Sequence, residues 1–288
     1  MENAIRVDHL SKEYPGFALR DLSFSVPRGS IVGLIGENGA GKTTTLHAIL
    51  GLIPFSQGKI ELLGQLYDPG NPEHRRRIGV VFDEGGFPPH LSCAAVGRML
   101  GLLYRDLWDK AAFADYCRRF ELPQDKEVRN LSRGMKAKLA IAAALSHHPE
   151  LLILDEPTGG LDPIVREEIL DLFSEFIQEE QNSILFSTHI TTDLERIADE
   201  ILFLHKGQLV FSGSKDELIY GHGVARCTSA QFERLLPEEY LRRRSLPGGG
   251  EELLVKEPEQ FRRRHPNVVL DRASIDEIML FYVKGESR

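Results

Sequence analysis

The stretch Gly36-Glu37-Asn38-Gly39-Ala40-Gly41-Lys42-Thr43-Thr44 constrains this chain more than any other. The apolar run before it, Ile31-Val32-Gly33-Leu34-Ile35, predicts a short buried strand. Thr45 to Leu50, after it, predicts a helix ending near Gly51. Strand, glycine-rich loop and helix are the setting in which G-x-x-x-x-G-K-[ST] means a phosphate cradle. Gly36, Gly39 and Gly41 let the backbone turn tightly and bring several N–H groups up to an anion. Asn38, Ala40 and Thr44 belong to the same loop. The new helix points its positive dipole end at that spot. Lys42 is placed to reach the β- and γ-phosphates, and the Thr43 hydroxyl to take one position on Mg²⁺. The plain alternative is a glycine turn that binds nothing. With glycine at about 7% of residues, the pattern arises by chance in such a chain on the order of one time in a hundred.

The 288 residues suit one large domain, or one domain plus a small appendix. A net charge of −8 argues against nucleic acid as the main partner, since phosphate backbones call for a basic face. Three basic clusters, Arg75-Arg76-Arg77, Arg242-Arg243-Arg244 and Arg262-Arg263-Arg264, leave nucleic acid open as a minor alternative, solvated surface being the commoner reading. Cys93, Cys117 and Cys227 are scattered without C-x-x-C spacing, which points to reduced thiols. No apolar run reaches membrane-spanning length, and the first residues lack signal-peptide architecture.

Ile5–Leu10, Leu22–Val26 and Gly58–Gly64 alternate like half-exposed strands, predicting an antiparallel sheet beside a nucleotide-binding core. Ile78–Phe82, Leu151–Leu154 and Ser183–Ser187 are apolar runs of buried parallel-strand type. Helical periodicity dominates from about 84 to 146, with breaks at Pro88-Pro89 and Leu122-Pro123, and returns over Ile164–Glu180. Ile201–Leu204 and Gln208–Phe211, joined at Lys206-Gly207, predict a hairpin. Gly221-His222-Gly223 reads as a linker and Pro247–Gly250 as a flexible break. The pieces beyond 220 predict a small α+β appendix.

Asp155-Glu156 stands at the end of a buried strand, where open α/β sheets bind ligands. Asp155 suits Mg²⁺, and Glu156 suits the γ-phosphate side as the group that polarises attacking water. Leu131-Ser132-Arg133-Gly134-Met135 opens a helix, with Ser132 as N-cap and Met135, Leu139, Ala142 and Leu145 as its buried stripe.

Together these motifs resemble the nucleotide-binding subunit of an ATP-binding cassette (ABC) transporter, from about Tyr14 to His189. The resemblance implies an α/β P-loop NTPase of RecA-like core, with an antiparallel β subdomain and an α-helical subdomain. It assigns residues 1–220 to the ATPase domain and 221–288 to a C-terminal accessory domain. The family signature Leu-Ser-Gly-Gly-Gln stands here as Leu131-Ser132-Arg133-Gly134-Met135. The implied assembly is a head-to-tail dimer, homodimeric or with a second ATPase subunit. In it, Ser132 and Gly134 of one copy cap the γ-phosphate held by Lys42 of the other. Tyr14 resembles the aromatic that stacks on adenine, its alternative being a half-buried strand residue. Asp162 resembles the residue that talks across the interface, with Gly159 where serine is usual. His189 resembles the switch histidine that contacts the γ-phosphate and orients Glu156. Asp83 stands where the family usually places a glutamine that touches Mg²⁺ and water.

The implied activity is hydrolysis of MgATP, with Glu156, His189 and Lys42 catalytic, coupled by dimer closure to a separate transmembrane permease. The implied location is peripheral, on the cytoplasmic face of the membrane. The helical stretch bears the implied permease groove, and Phe87–Leu91 is either a contact edge or a surface loop. The signature variant and short appendix are similar to those of bacterial exporters. A soluble ABC ATPase acting on ribosomes or nucleic acid is the alternative. Against it, the chain has one cassette, and 46–130 is too short for the long coiled coils of DNA-repair relatives. The appendix itself is read as regulatory or dimer-stabilising.

Overall fold

Alternating burial along Asn3–Tyr14 (β1) and Phe17–Pro27 (β2) turns one face of each strand inward in the computed structural model, which describes residues 2–68, 71, 76–82 and 86–287. β1 and β2 pair antiparallel, with Tyr14 opposite Phe17 across the Pro15-Gly16 turn. Ile31–Ile35 (β3) is buried along its whole length and leads into the helix Lys42–Ile49 (α1). That helix starts at Lys42, three residues before the periodicity suggested, because the loop glycines already deliver the chain in helical register. Gln57–Leu62 (β4) and Gln65–Leu66 (β5) complete a four-stranded antiparallel sheet in the order β2-β1-β4-β5.

Ile78–Val81 (β6) precedes three helices, Cys93–Tyr104 (α2), Lys110–Arg119 (α3) and Arg133–Leu145 (α4). Each begins on a side-chain cap: Ser92, Asp109 and Ser132 accept from Ala95, Ala112 and Met135 N–H respectively. The narrow stripe expected on α4 is too modest toward its C-terminus, whereas Met135, expected in it, is only half-buried. Every residue from Leu139 to Leu145 is buried, because this half of the helix lies between β6 and the other helices. Gly79 makes the approach to β6 possible; a Cβ there would stand 2.8 Å from the Ala144 carbonyl.

Leu151–Asp155 (β7), Pro163–Phe176 (α5), Ser183–Thr188 (β8), Thr191–Ile197 (α6), Glu200–His205 (β9) and Gln208–Ser214 (β10) follow. The six-stranded sheet runs β10-β9-β3-β8-β7-β6, and the pairs among β9, β3, β8, β7 and β6 are parallel. β3, β7 and β8 are buried on both faces, which is why they read as unbroken apolar runs. Gly33 lets α6 sit directly on β3, since a Cβ there would meet Leu194 Cδ2 at 2.0 Å. No helix among the described residues is long and apolar enough to cross a membrane.

The contacts divide the chain into two compact units, 1–210 and 211–288. The second contains Lys215–Tyr220 (α7), His222–Cys227 (β11), Ser229–Phe232 (α8), Arg242–Ser245 (β12), Glu251–Lys256 (β13), Pro258–Arg264 (α9), Val269–Arg272 (β14), Ile275–Lys284 (α10) and Glu286–Ser287 (β15). Its antiparallel sheet, ordered β14-β11-β13-β12-β15, contains a split β-α-β-β-α-β arrangement. Three sequence readings change here. His222 and Gly223 open β11 instead of forming a linker, with His222 buried and its Nδ1 2.9 Å from the Leu218 carbonyl. Pro247–Gly250 is the tight β12–β13 turn, closed by Leu246 N–H donating to the Gly250 carbonyl at 3.0 Å. The β12 arginines are not simply solvated: Arg242 lies over Tyr282, Arg243 over Phe232 and Arg244 over Phe281.

At the start of β7, Glu150 receives Arg77 Nε and Nη2, each at 2.5 Å, and Arg28 Nη1 at 3.1 Å. The Arg77 hydrogen bonds hold this carboxyl below its ordinary range, outweighing its desolvation. The folded state therefore gains stability above the unfolded pKa and loses it as pH falls through the depressed folded value. Glu150→Gln is expected to cost about 1–2 kcal/mol at pH 7, with the gap to the parent closing toward pH 3 in urea titrations.

Candidate nucleotide site

Parallel register brings the motifs level. Ile35 pairs with Thr188, and Asp155 with Ser187, so the ends of β3, β8 and β7 open at one edge of the sheet. The phosphate loop leaves β3, the Asp155-Glu156 pair ends β7, and His189 follows β8.

The loop is shaped by close contacts. Gly36 is packed so that a Cβ would stand 2.4 Å from the Leu204 carbonyl. Gly41 has φ +110, and a Cβ there would meet Leu19 Cδ2 at 2.6 Å and Phe17 Cζ at 2.8 Å. Gly39 has φ +81 with nothing within 4 Å of its missing side chain, leaving the loop tip open. The Lys206-Gly207 turn seats the loop from behind, with Gly207 N–H donating to the Ala40 carbonyl at 3.0 Å. Asn38 is exposed at the tip, Ala40 is buried beneath it and Thr44 is half-buried on α1. Thr43 is exposed, whereas the Thr45 hydroxyl turns back onto the Gly41 carbonyl at 2.8 Å. Thr43 is thus the threonine presented outward.

Lys42 is buried, and its Nζ donates to the Gly36 carbonyl at 2.9 Å. The same atom lies 3.3 Å from Glu156 Oε1, while Glu156 Oε2 lies 2.7 Å from His189 Nδ1. Lysine, glutamate and histidine therefore form one continuous chain across three strand ends. Glu156 adopts φ +49, a strained conformation for a side chain with a Cβ. It is held there by its N–H on the Ser187 carbonyl at 3.1 Å and by Gly159 N–H on its own carbonyl at 3.0 Å.

Ser187 is a residue whose part the sequence did not disclose. Its hydroxyl donates to Asp155 Oδ1 at 2.5 Å and accepts the Glu156 N–H at 3.1 Å, so one hydroxyl fixes both carboxylate positions. The available signal was a serine directly after the apolar run Ile184–Phe186, level with the acidic end of the neighbouring strand. Among the described residues no three His, Cys, Asp or Glu side chains gather as a metal cage. The donors fit a Mg²⁺ held by one carboxylate, one hydroxyl and the phosphate oxygens of its nucleotide.

The other expected residues fall in two groups. Tyr14 is 41% exposed, with Lys12 Nζ 5.0 Å from its ring centroid, and is paired in the hairpin with Phe17, which touches the loop at Gly41. Ser132 accepts Met135 N–H at 3.2 Å, and Asp162 accepts Ile164 and Val165 N–H at 3.1 Å, each capping its own helix. Gly134 faces Val165, so α4 and α5 start side by side. The Arg133 guanidinium lies over Gly160 and reaches toward Gly159, which brings two of the departures from the family pattern, Arg133 and Gly159, together. Asp83 lies outside the described residues.

Comparison with known proteins agrees with this geometry. A family model described as ABC transporter matches residues 19–159. The chain is similar to the ABC transporter ATP-binding protein NatA of Bacillus subtilis, 36% identical over 208 residues, covering 70% of this chain and 83% of the relative. It is also similar to the bacitracin transport ATP-binding protein BcrA of Bacillus licheniformis, 37% identical over 213 residues, with coverage of 73% and 69%. A solved structure described as the ATP binding subunit of an ABC transporter superposes with a TM-score of 0.68 at 31% identity, covering 75% of this chain and 91% of that one. Such relatives favour transport over the ribosomal or nucleic-acid alternative. The chain belongs to the ATP-binding subunits of ABC transporters, α/β P-loop proteins that bind and hydrolyse ATP.

Proposed function

We propose that Glu156 is the general base of this ATPase and that His189 and Lys42 complete the catalytic set. The observation that carries the reading is the unbroken chain Lys42 Nζ–Glu156–His189 at 3.3 and 2.7 Å. Lys42 lies close enough to neutralise the carboxylate that is to take the proton. Triphosphate entering the loop gives Lys42 its proper counter-charge and frees Glu156 to accept a proton from water, while His189 holds the other carboxylate oxygen. Gly36, Asn38, Gly39, Ala40 and Gly41 contribute the loop that surrounds the phosphates, Thr44 the first turn of α1 beside them, and Tyr14 offers its exposed ring to adenine. Thr43 and Asp155 would hold Mg²⁺, which would supply positive charge to the phosphates, and Asp83 is read from its place in the sequence as a further contact to it.

The site is completed by a second copy of the chain or a related subunit. Ser132 and Gly134 present a helix start to an anion held by the neighbour's loop, and Asp162 lies at the same face. Closure then couples hydrolysis to motion in a separate membrane permease, with this chain peripheral on the cytoplasmic face. The bacitracin-transport relative supports transport of a substrate of the antibiotic class.

Lys42→Ala is expected to weaken MgATP binding by more than tenfold in equilibrium titration, with the fold unchanged. Glu156→Gln is expected to lower kcat by at least a hundredfold while retaining MgATP binding and accumulating a dimer in size-exclusion chromatography. Full turnover in Glu156→Gln would remove the assignment of the base.

A further inference from the structure

A buried carboxylate outside the reacting set ties the two catalytic loops together. Asp193, on α6 four residues after His189, is 0% exposed. Its Oδ2 accepts the Thr158 hydroxyl at 2.5 Å, and its Oδ1 accepts Arg166 Nε at 2.5 Å. Arg166 Nη2 also donates to Thr192 Oγ1. Thr158 is two residues beyond Glu156 and itself buried, Arg166 lies in the first turn of α5, and Asp193 lies in the first turn of α6. One ionic centre therefore joins the segment after Glu156, the helix that follows it and the helix after His189. A charge so buried is costly unless paired, and replacing such a pair by apolar residues often stabilises a protein. Stability alone is a weak reason to keep it.

We infer that Thr158, Asp193 and Arg166 are positioning residues that set the Glu156–His189 contact. The inference rests on the reading of Glu156 as the base. The geometry supplies the need: Glu156 sits at φ +49, and its 2.7 Å contact with His189 joins two segments that leave different strands. Ser187 anchors Glu156 to β8 at the sheet end, and the Thr158–Asp193–Arg166 centre anchors the loop again two residues later. Leu194, seated against Gly33, fixes α6 on β3 and so fixes the reference point for Asp193. The phosphate loop and Lys42 take no part in this centre. Loosening it therefore changes turnover and leaves nucleotide affinity in place.

The test uses the purified full chain with Thr158→Val, which removes only the hydroxyl, and Thr158→Ser, which keeps it. Thr158→Val is expected to lower kcat at least tenfold, with KM and the equilibrium Kd for MgATP within about threefold of the parent. Thr158→Ser is expected to restore kcat to within about threefold. In a Glu156→Gln background, Thr158→Val is expected to produce no further loss of the residual rate, because it acts through that carboxylate. A parental kcat in Thr158→Val overturns the inference. So does a lower Tm with kcat per folded site unchanged, an equal loss of kcat and affinity, or the same fold-loss in the Glu156→Gln background. Should Thr158→Val not fold, Arg166→Lys keeps the charge while removing the Nε donor, and is judged by the same readouts. Full activity in Glu156→Gln removes the base assignment itself. An inactive Glu156→Gln beside a fully active Thr158→Val removes only the positioning role.

Discussion

The parallel register of β3, β8 and β7 is the constraint from which the site follows. Because β8 lies between the other two, with Ile35 level with Thr188 and Asp155 level with Ser187, three distant segments meet at one rim. Each strand is buried on both faces, so a slip of one residue would push polar groups into the packed layers on either side. Packing thus fixes the register, and the register fixes where Lys42, Glu156 and His189 can meet. Glycine has a part in the same packing: Gly33 and Gly79 admit α6 and α4 to the sheet at distances a side chain would forbid.

Charge at the rim is arranged in two tiers. The reacting tier runs from Lys42 through Glu156 to His189 and is open toward a ligand. Beneath it, Ser187 and Asp193 hold backbone and side chains in place through short hydrogen bonds to residues of neighbouring segments. Preorganisation of this kind suits phosphoryl transfer, where the protein supplies position and charge and little covalent chemistry. The strained φ of Glu156 is tolerated because hydrogen bonds fix the turn from both sides.

The second unit solves a different problem with the same economy of means. Three consecutive arginines on β12 alternate between the faces of its sheet, and each lies over an aromatic ring. Arg226 on β11 gathers Glu252 at 2.9 Å, Asp271, and Glu277 at 3.6 Å, linking β11, β13 and β14 to α10. A small sheet gains both coverage and orientation from guanidinium groups that can stack and hydrogen-bond at once.

Local chemistry made much of this legible in the amino-acid order. The phosphate loop, the Asp155-Glu156 pair, the Ser132 cap and the buried strands all carry patterns that depend on near neighbours, and those elements lie where the patterns place them. The Gly221–Gly223 linker and the Pro247–Gly250 break were misread because glycine marks a tight turn or an exacting strand position as readily as a flexible one. The ties of Ser187 to both carboxylates, of Arg133 to Gly160, and of Asp193 to Thr158 and Arg166 could not be read in advance. They join residues 27 to 35 positions apart, through side-chain contacts that no local periodicity encodes. Sequence by itself determined what chemistry the chain carries, since glycine, lysine and carboxylate act through their own geometry. Only the tertiary structure decided which groups hold that chemistry in place, because those partners are chosen by strand register and helix packing.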